Sequence, residues 1–221
     1  MDVSFTPEQD ELRAQARAFL AATPEPSWHE LAALGWTGVS VAESEGGVDL
    51  GFVEQGILHE EMGRALTRGP FWSTLALTLP VLPADLRSEV ARGEATWTLA
   101  LGPLVPDLDT AERVVVAGGD SLHELEGFDR EVLATNDETR PLGVVTGGTP
   151  GRRLAGTEVL PLVRTRAFAA LALEACGVGA RALELAVRQA GERHQFGRPI
   201  GVFQAVSHPL ATTYTELELA R

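Results

Sequence analysis

The chain has 221 residues, 44% hydrophobic and 22% charged, enough to bury a core in one large domain or two small ones. A formal net charge of -13 argues against a nucleic-acid partner, whose phosphates reward basic faces. All 18 basic residues are arginine, which excludes Schiff-base and P-loop lysines, and a single cysteine, Cys176, excludes an internal disulfide and a cysteine-built zinc site.

The first third reads as helix. Thr6, Pro7 and Gln9 combine an N-cap, a proline at the first helical position and a capping-box partner, and Leu12, Ala16, Phe19 and Leu20 then share one face. A second helix starts at Ser27 with Glu30 three residues on, carries Leu31 and Leu34 and stops at Gly35. Residues 36–51 read as a loop with a short extended piece. A third helix is expected from about Phe52 to Leu66, with Ile57, Leu58 and Met62 inward. "FWSTLALTL" and "ADLRSEVARG" read as two more helices around Pro80 and Pro83.

Near Thr96 the pattern changes. "TWTLALG", "RVVVAGG", "SLHELEG", "EVLAT" and "LGVVTGG" are short β-prone runs between turn residues. Helix returns at about Thr165 and lasts to about Glu192, and a second helix follows Pro199. Pro209 would break that helix in its interior but is tolerated in a first turn, so the spacing predicts a late start, with Ser207 as N-cap, or a kink. The chain thus divides into an N-terminal helical domain (1–95), a β domain (96–163) and the first part of a C-terminal helical domain (164–221). The last residue, Arg221, falls inside a good helical pattern without a stop signal, so a further piece or a partner is expected at this end.

The acidic N-terminus has no apolar signal segment, and no run is long enough to span a membrane, so a cytoplasmic protein without a membrane partner is expected. "GVGARA" (177–182) fits a dinucleotide pattern but follows helix-forming residues and lacks the acid about 20 positions on; small residues that let a neighbouring helix approach are the better reading. The five histidines are scattered, and no metal site is expected. Cys176 reads as a small buried hydrophobe. Arg130, Arg140, Arg152, Arg153, Arg164 and Arg166 gather around the β region; charge balance is the first reading and an anion site the second.

One stretch stands apart, "GERHQFGRPIGVFQ" (191–204). Arg193 offers a planar fork of donors and Gln195 a side-chain amide, both suited to a phosphate or diphosphate. Phe196 can wall an aromatic ligand, and Gly197 lets the backbone approach closely. Chemistry alone leaves this segment evenly divided between a phosphate clasp and an αα-turn with an apolar plug.

Residues 193–211, "RHQFGRPIGVFQAVSHPLA", resemble the signature segment of the acyl-CoA dehydrogenase family, approximately R-x-Q-F-G-x-P-I-x-x-F-Q. "LAALGWTGVSVAESEGGVDLGFVEQGILHEEMGRAL" resembles the family's N-terminal progression, with Ala42 where a proline is usual, and the helix before the signature is similar as well. The resemblance implies a mainly α fold: an N-terminal helical domain, a middle β domain, here abridged, and a C-terminal helical bundle, here incomplete. It implies FAD as cofactor and α,β-desaturation of an acyl-CoA thioester, in which a glutamate removes the α-proton and the β-hydrogen leaves as hydride to the flavin. By the same resemblance Arg193 pairs with the cofactor's diphosphate, and Gln195, Phe196, Gly197, Phe203 and Gln204 line its adenosine and diphosphate pocket, across a subunit interface.

Three departures bear on activity. Gly102 and Pro103 stand where flavin-contacting side chains are expected, and a G-x-K segment is absent. "RTRAFAAL" (164–171), where some members carry the base, has no carboxylate; Glu174 reads as a polar position of a packed helix, and Glu216 and Glu218 as surface. Pro209 interrupts a segment that is usually helical. "NDETRPLGVV" resembles a segment common in actinobacterial steroid-type members that work as heterotetramers, one subunit being degenerate. The expectation is therefore an FAD-contributing subunit without its own catalytic residue, paired with a second acyl-CoA dehydrogenase-like subunit or in a homo-oligomer. The alternative is a non-catalytic assembly protein with the same scaffold and no cofactor.

Overall fold

The structure, a computed structural model, describes residues 4–221. The mainly α expectation is met: among the described residues six α-helices form the larger part of the regular structure, and a five-stranded sheet lies between the fourth and the fifth. Helix α1 (Pro7–Ala22) opens with the capping box of Thr6 and Gln9, and α2 (Trp28–Ala33) with that of Ser27 and Glu30. Gly35 ends α2 in the left-handed region; of its two leucines Leu31 is buried and Leu34 is exposed. The expected extended piece after it is replaced by two 3-10 turns, Trp36–Gly38 and Glu43–Glu45. Backbone bonds from Val48 to Gly38, Asp49 to Val41 and Leu50 to Val39 fold that loop on itself, so its residues pair internally without joining a sheet.

Helix α3 (Phe52–Ala65) is the central strut. Ile57, Leu58 and Met62 are buried as expected, but so are Gln55, His59, Glu60 and Glu61, because helices pack on both of its flanks. Buried carboxylates need partners. Arg13 meets Glu60 at 2.9 Å and Arg17 meets Glu61 at 2.6 Å, which ties α1 to α3. The next segment is wound as a π-helix (Ser73–Thr78) and a 3-10 turn (Leu79–Val81), followed by α4 (Ala84–Ala91).

The sheet holds β1 (Trp97–Ala100), β2 (Val105–Pro106), β3 (Arg113–Gly118), β4 (Ser121–Val132) and β5 (Leu142–Gly156) in the order β1-β3-β4-β5-β2. β1 and β3 run parallel, and the other pairs antiparallel. "SLHELEG" and the start of "EVLAT" are one strand, because Gly127 takes positive φ inside β4 while the pairing keeps its register from Glu126 to Phe128; the register shifts fall earlier, between Leu122 and Leu125. Alternation splits the sheet into two faces. Trp97, Leu99, Val115 and Leu122 join the helical core, while Val105, Leu108, Val114 and Leu125 form a second cluster. Thr74 clasps β1 to the π-helix: its hydroxyl donates to the Trp97 carbonyl and accepts from the Trp97 N–H, both at 3.0 Å.

Helix α5 (Leu160–Glu192) has 33 residues, about 50 Å at 1.5 Å per residue. It begins at Leu160 rather than near Thr165, since Pro161 falls in the first turn, where its fixed φ suits a helix start. The small residues of 177–182 do bring a neighbour close: a Cβ on Gly177 would lie 1.9 Å from the Glu60 carbonyl oxygen of α3. Helix α6 (Gln204–Ala220) shows no late start. It begins at Gln204 and carries Pro209 in its interior; Ser207 lies within the helix, its hydroxyl donating to the Phe203 carbonyl at 3.3 Å. The 3-10 turn Ile200–Val202 has already aligned the chain, and the Phe203 carbonyl accepts from both Val206 and Ser207, so no side-chain cap is used.

Candidate functional site

The end of α5 builds a distinct tip. Arg193 closes the helix, its N–H donating to Gln189 and its carbonyl accepting from Ile200 at 2.8 Å. The chain then forms a two-residue hairpin from β6 (His194–Gln195) and β7 (Arg198–Pro199). Its loop is Phe196 and Gly197, with φ of 54° and 80°. Positive φ at both loop positions is the type I′ geometry, which asparagine and glycine normally fill. A phenylalanine there is strained by roughly 1–2 kcal/mol, and its ring is 91% exposed. Phe196 meets Phe203 edge to face at 6.1 Å, and the Arg198 guanidinium covers the Phe203 ring at 4.6 Å.

All six residues singled out for cofactor contact therefore share one short segment, with Arg193, Gln195, Phe196, Gly197 and Gln204 exposed and Phe203 half-buried. Among the described residues, neither Arg193 nor Arg198 has a carboxylate within ion-pair distance. Gln204 opens α6, whose N-terminus lacks a side-chain cap; Val206 and Ser207 donate to the Phe203 carbonyl, which leaves the Gln204 and Ala205 N–H groups at the positive end of the helix dipole. Two guanidiniums, an amide, an uncapped helix start and an open aromatic face are the donor set that a diphosphate joined to an adenosine needs. The residues present fit the adenosine diphosphate half of FAD.

A second feature lies farther back on α5, about 28 Å away along the helix. A cleft of about 330 Å³ is walled by Gly63, Leu66, Leu171, Val178, Arg140 and Glu174. Arg140 and Glu174 form an ion pair. Burial pushes the Glu174 carboxyl above its ordinary range, and Arg140 pulls it back. Asp107, 1% exposed, is raised to about 7 by burial, against the pull of Ser73 and Arg140. His59, fully buried, is lowered to about 3 by burial and by the nearby Arg140 charge. Arg140 thus serves two acids and stands over the Trp72 ring at 6.0 Å. The sequence reading of Glu174 as a packed-helix position agrees with its backbone, which a Cβ on Gly63 would strike at 2.1 Å. Asp107 was the residue missed; its only sequence signal is an acid that directly follows Pro106 at the end of the apolar run 104–106.

The other arginines near the sheet are not brought together. Arg152 pairs with Asp85 at 2.7 Å, Arg130 donates to the Leu108 and Ala111 carbonyls, and Arg166 lies over Phe52 at 4.9 Å. Local partnering accounts for these three, and the six do not form an anion site. The loop from Leu101 to Leu104, where flavin-contacting side chains were sought, is exposed and has no polar side chain. Cys176 is buried, with its thiol pushed up by burial. Among the described residues, no cluster of metal-ligating side chains occurs, and no helix is long and apolar enough to cross a membrane.

Comparison with known proteins agrees with this architecture. Residues 6–82 match the acyl-CoA dehydrogenase N-terminal domain and residues 162–221 the C-terminal domain. Acyl-CoA dehydrogenase IpdE2 of Mycobacterium tuberculosis is 34% identical over 199 residues, covering 85% of this chain; the chain spans 60% of that relative's length. A variant of the Tcur3481-Tcur3483 steroid ACAD superposes with a TM-score of 0.82 at 28% identity, over 96% of this chain and 74% of that one. The ChsE4-ChsE5 complex from Mycobacterium tuberculosis shares the fold, with a TM-score of 0.83 at 21% identity over 99% and 76%. With both terminal domains matched and the fold shared along nearly its whole length, this chain belongs to the acyl-CoA dehydrogenase family.

Proposed function

We propose that the chain is a cofactor-contributing subunit of an FAD-dependent acyl-CoA dehydrogenase and lacks a catalytic base of its own. The observation that carries this reading is the hairpin tip, where an aromatic ring held at positive φ stands 91% exposed beside arginines without carboxylate partners. Strain and exposure at one position are retained where a ligand or partner uses them. Bound FAD would supply the hydride acceptor for desaturation of an acyl-CoA thioester. Arg193 would hold the diphosphate through its planar fork, Gln195 and Gln204 would add donors, and Phe196 and Phe203 would flank the adenine, with Gly197 leaving room for it. The three-part division near residues 95 and 163 belongs to the same reading.

Two features support a shared active site. The first turns of α5 hold Arg164, Thr165, Arg166 and Ala167 but no carboxylate, and Glu174 is tied to Arg140. The hairpin also lies about 28 Å along α5 from this chain's own cleft, so a cofactor gripped there reaches toward another subunit. The ChsE4-ChsE5 complex, built on the same fold, supports a partner of the same family. An assembly protein with no cofactor is the competing reading, favoured by the apolar loop from Leu101 to Leu104. Purification separates them. Alone, the chain should hold no flavin; bound to an acyl-CoA dehydrogenase subunit that retains its glutamate, it should show the absorbance of bound flavin. Full turnover by this chain alone would overturn the proposal.

A further inference from the structure

Helix α3 ends in a turn that lines the cleft beside α5. Leu66 sits in the left-handed region at φ 55° and donates to the Gly63 carbonyl at 3.1 Å, while Thr67 donates to the Met62 carbonyl at 3.0 Å. This pair of bonds is a Schellman motif, which normally places glycine at the left-handed residue. Here a leucine, 53% exposed, takes the strained position. The reversal brings Leu66 and Thr67 into one cleft with Leu171, Ala175 and Val178 of α5. Thr67 carries a second oddity: its Oγ1 is buried and has no partner among the described residues. A buried hydroxyl left unpaired costs stability, so its retention in a cleft wall points to a group that the cleft receives.

The rest of the lining decides what that group is. Besides the two threonines, Thr67 and Thr139, only Asp137, Arg140 and Glu174 interrupt its apolar walls. Asp137 is already engaged: the Thr139 hydroxyl donates to it at 2.7 Å and the Thr139 N–H at 2.9 Å, and these bonds hold its carboxyl below the ordinary range. Glu174 is tied to Arg140. Both carboxylates are engaged, while donors are left over. A guanidinium has five N–H groups, more than one carboxylate can take, and Arg140 keeps 30% of its side chain exposed. An anionic ligand would meet two carboxylates against one guanidinium. A cationic ligand would meet Arg140 with no free carboxylate to offset it, and apolar walls penalise either charge. A neutral acceptor avoids both costs. Among neutral oxygens, a ketone carbonyl offers two lone pairs and brings no hydrogen that needs an acceptor in turn. The volume of about 330 Å³ is small for a ligand pocket and holds roughly ten heavy atoms at about 30 Å³ each.

We infer that this cleft selects a neutral, largely apolar small molecule by its ketone oxygen, which accepts from the Thr67 hydroxyl and from the spare donors of Arg140. Leu66, Leu171, Ala175 and Val178 enclose the hydrocarbon. Thr67 is the specificity-determining residue, and the left-handed turn at Leu66 sets it in place. The site belongs wholly to this chain, about 28 Å along α5 from the hairpin, so it does not depend on the cofactor reading.

Isothermal titration calorimetry of the flavin-free 221-residue chain at pH 7 tests the inference, with 2-octanone, octanoate and octylammonium as probes of equal chain length. The ketone should bind saturably at one site, about tenfold or more tighter than either ion. Thr67→Val removes one hydrogen bond at nearly constant volume and should weaken 2-octanone by roughly two- to tenfold. Its melting midpoint, read by circular dichroism, should equal or exceed that of wild type, because the lost hydroxyl has no partner in the folded chain. Ala175→Leu, at an exposed position of α5, should leave the chain folded and abolish ketone binding by filling the cleft. The inference is overturned if 2-octanone shows no saturable binding up to its solubility limit, if either ion binds as tightly as the ketone, or if folded Thr67→Val or Ala175→Leu binds the ketone with wild-type affinity.

Discussion

Replacing Gly177 by alanine tests how α3 and α5 are joined. The added Cβ would lie 1.9 Å from the Glu60 carbonyl oxygen and 2.8 Å from the Arg64 nitrogen, where ordinary contacts begin at 3.4 Å. Both obstacles are backbone, so relief requires a helix to move. Helix α3 cannot shift freely, because its buried Glu60 and Glu61 are held by Arg13 and Arg17. Overpacking of this kind costs about 1–3 kcal/mol, more when backbone must shift, and the gain in helix propensity returns at most about 1 kcal/mol. A net loss of about 2 kcal/mol corresponds to a melting midpoint lower by roughly 4–8 °C for a chain of this size. Gly191, also within α5, is the control: nothing lies within 4 Å of its Cβ position, so alanine there should stabilise by about 0.5–1 kcal/mol. Thermal and urea unfolding followed by circular dichroism reads both. If Gly177→Ala is as stable as wild type, or the two variants shift together, the close helix contact is wrong.

The buried titrating groups give a pH signature. Asp107 is raised from 3.8 to about 7, so the folded state holds its proton more tightly than the unfolded state, and stability falls as pH rises from about 4 to about 7. His59 is lowered from 6.5 to about 3, so its contribution is complete above about 6.5 and is lost as pH falls toward 3. The two oppose one another over most of that range. Asp107→Asn removes the first and should gain about 4 kcal/mol relative to wild type between pH 4 and pH 7; parallel stability curves for the two proteins would contradict this. At the hairpin tip, Phe196→Asn suits the left-handed backbone and should keep or raise the melting midpoint while lowering the flavin retained by the complex. Unchanged flavin retention would remove Phe196 from the cofactor pocket.

Local chemistry made most of the helices legible in the sequence. The capping boxes at Thr6 and Ser27 marked two starts, and the apolar spacing of Ile57, Leu58 and Met62 gave the inward side of α3. What sequence pattern could not supply was tertiary. Glu60 and Glu61 look like a solvated face until Arg13 and Arg17 arrive from α1, more than 40 positions away. Ser207 and Pro209 mimic a helix start, but the turn at Ile200–Val202 had set the helix direction before them. Asp107 becomes a perturbed acid because the fold buries it at the end of β2, where β2 pairs with β5 and the Asp107 N–H donates to Pro141. The signature residues were legible as a set, while the exposure of Phe196 and its turn geometry emerged only in three dimensions.

By the function proposed above, the hairpin that follows α5 grips FAD in an active site completed by another chain. The most direct test is the flavin content of the complex formed with a glutamate-bearing acyl-CoA dehydrogenase subunit, measured for wild type and for Arg193→Ala. Loss of one charge-assisted contact worth about 1.5–3 kcal/mol should weaken flavin binding by roughly tenfold to a hundredfold, so the variant complex should assemble and lose its flavin on dilution. An Arg193→Ala complex that retains the wild-type flavin content under the same dilution would contradict the account.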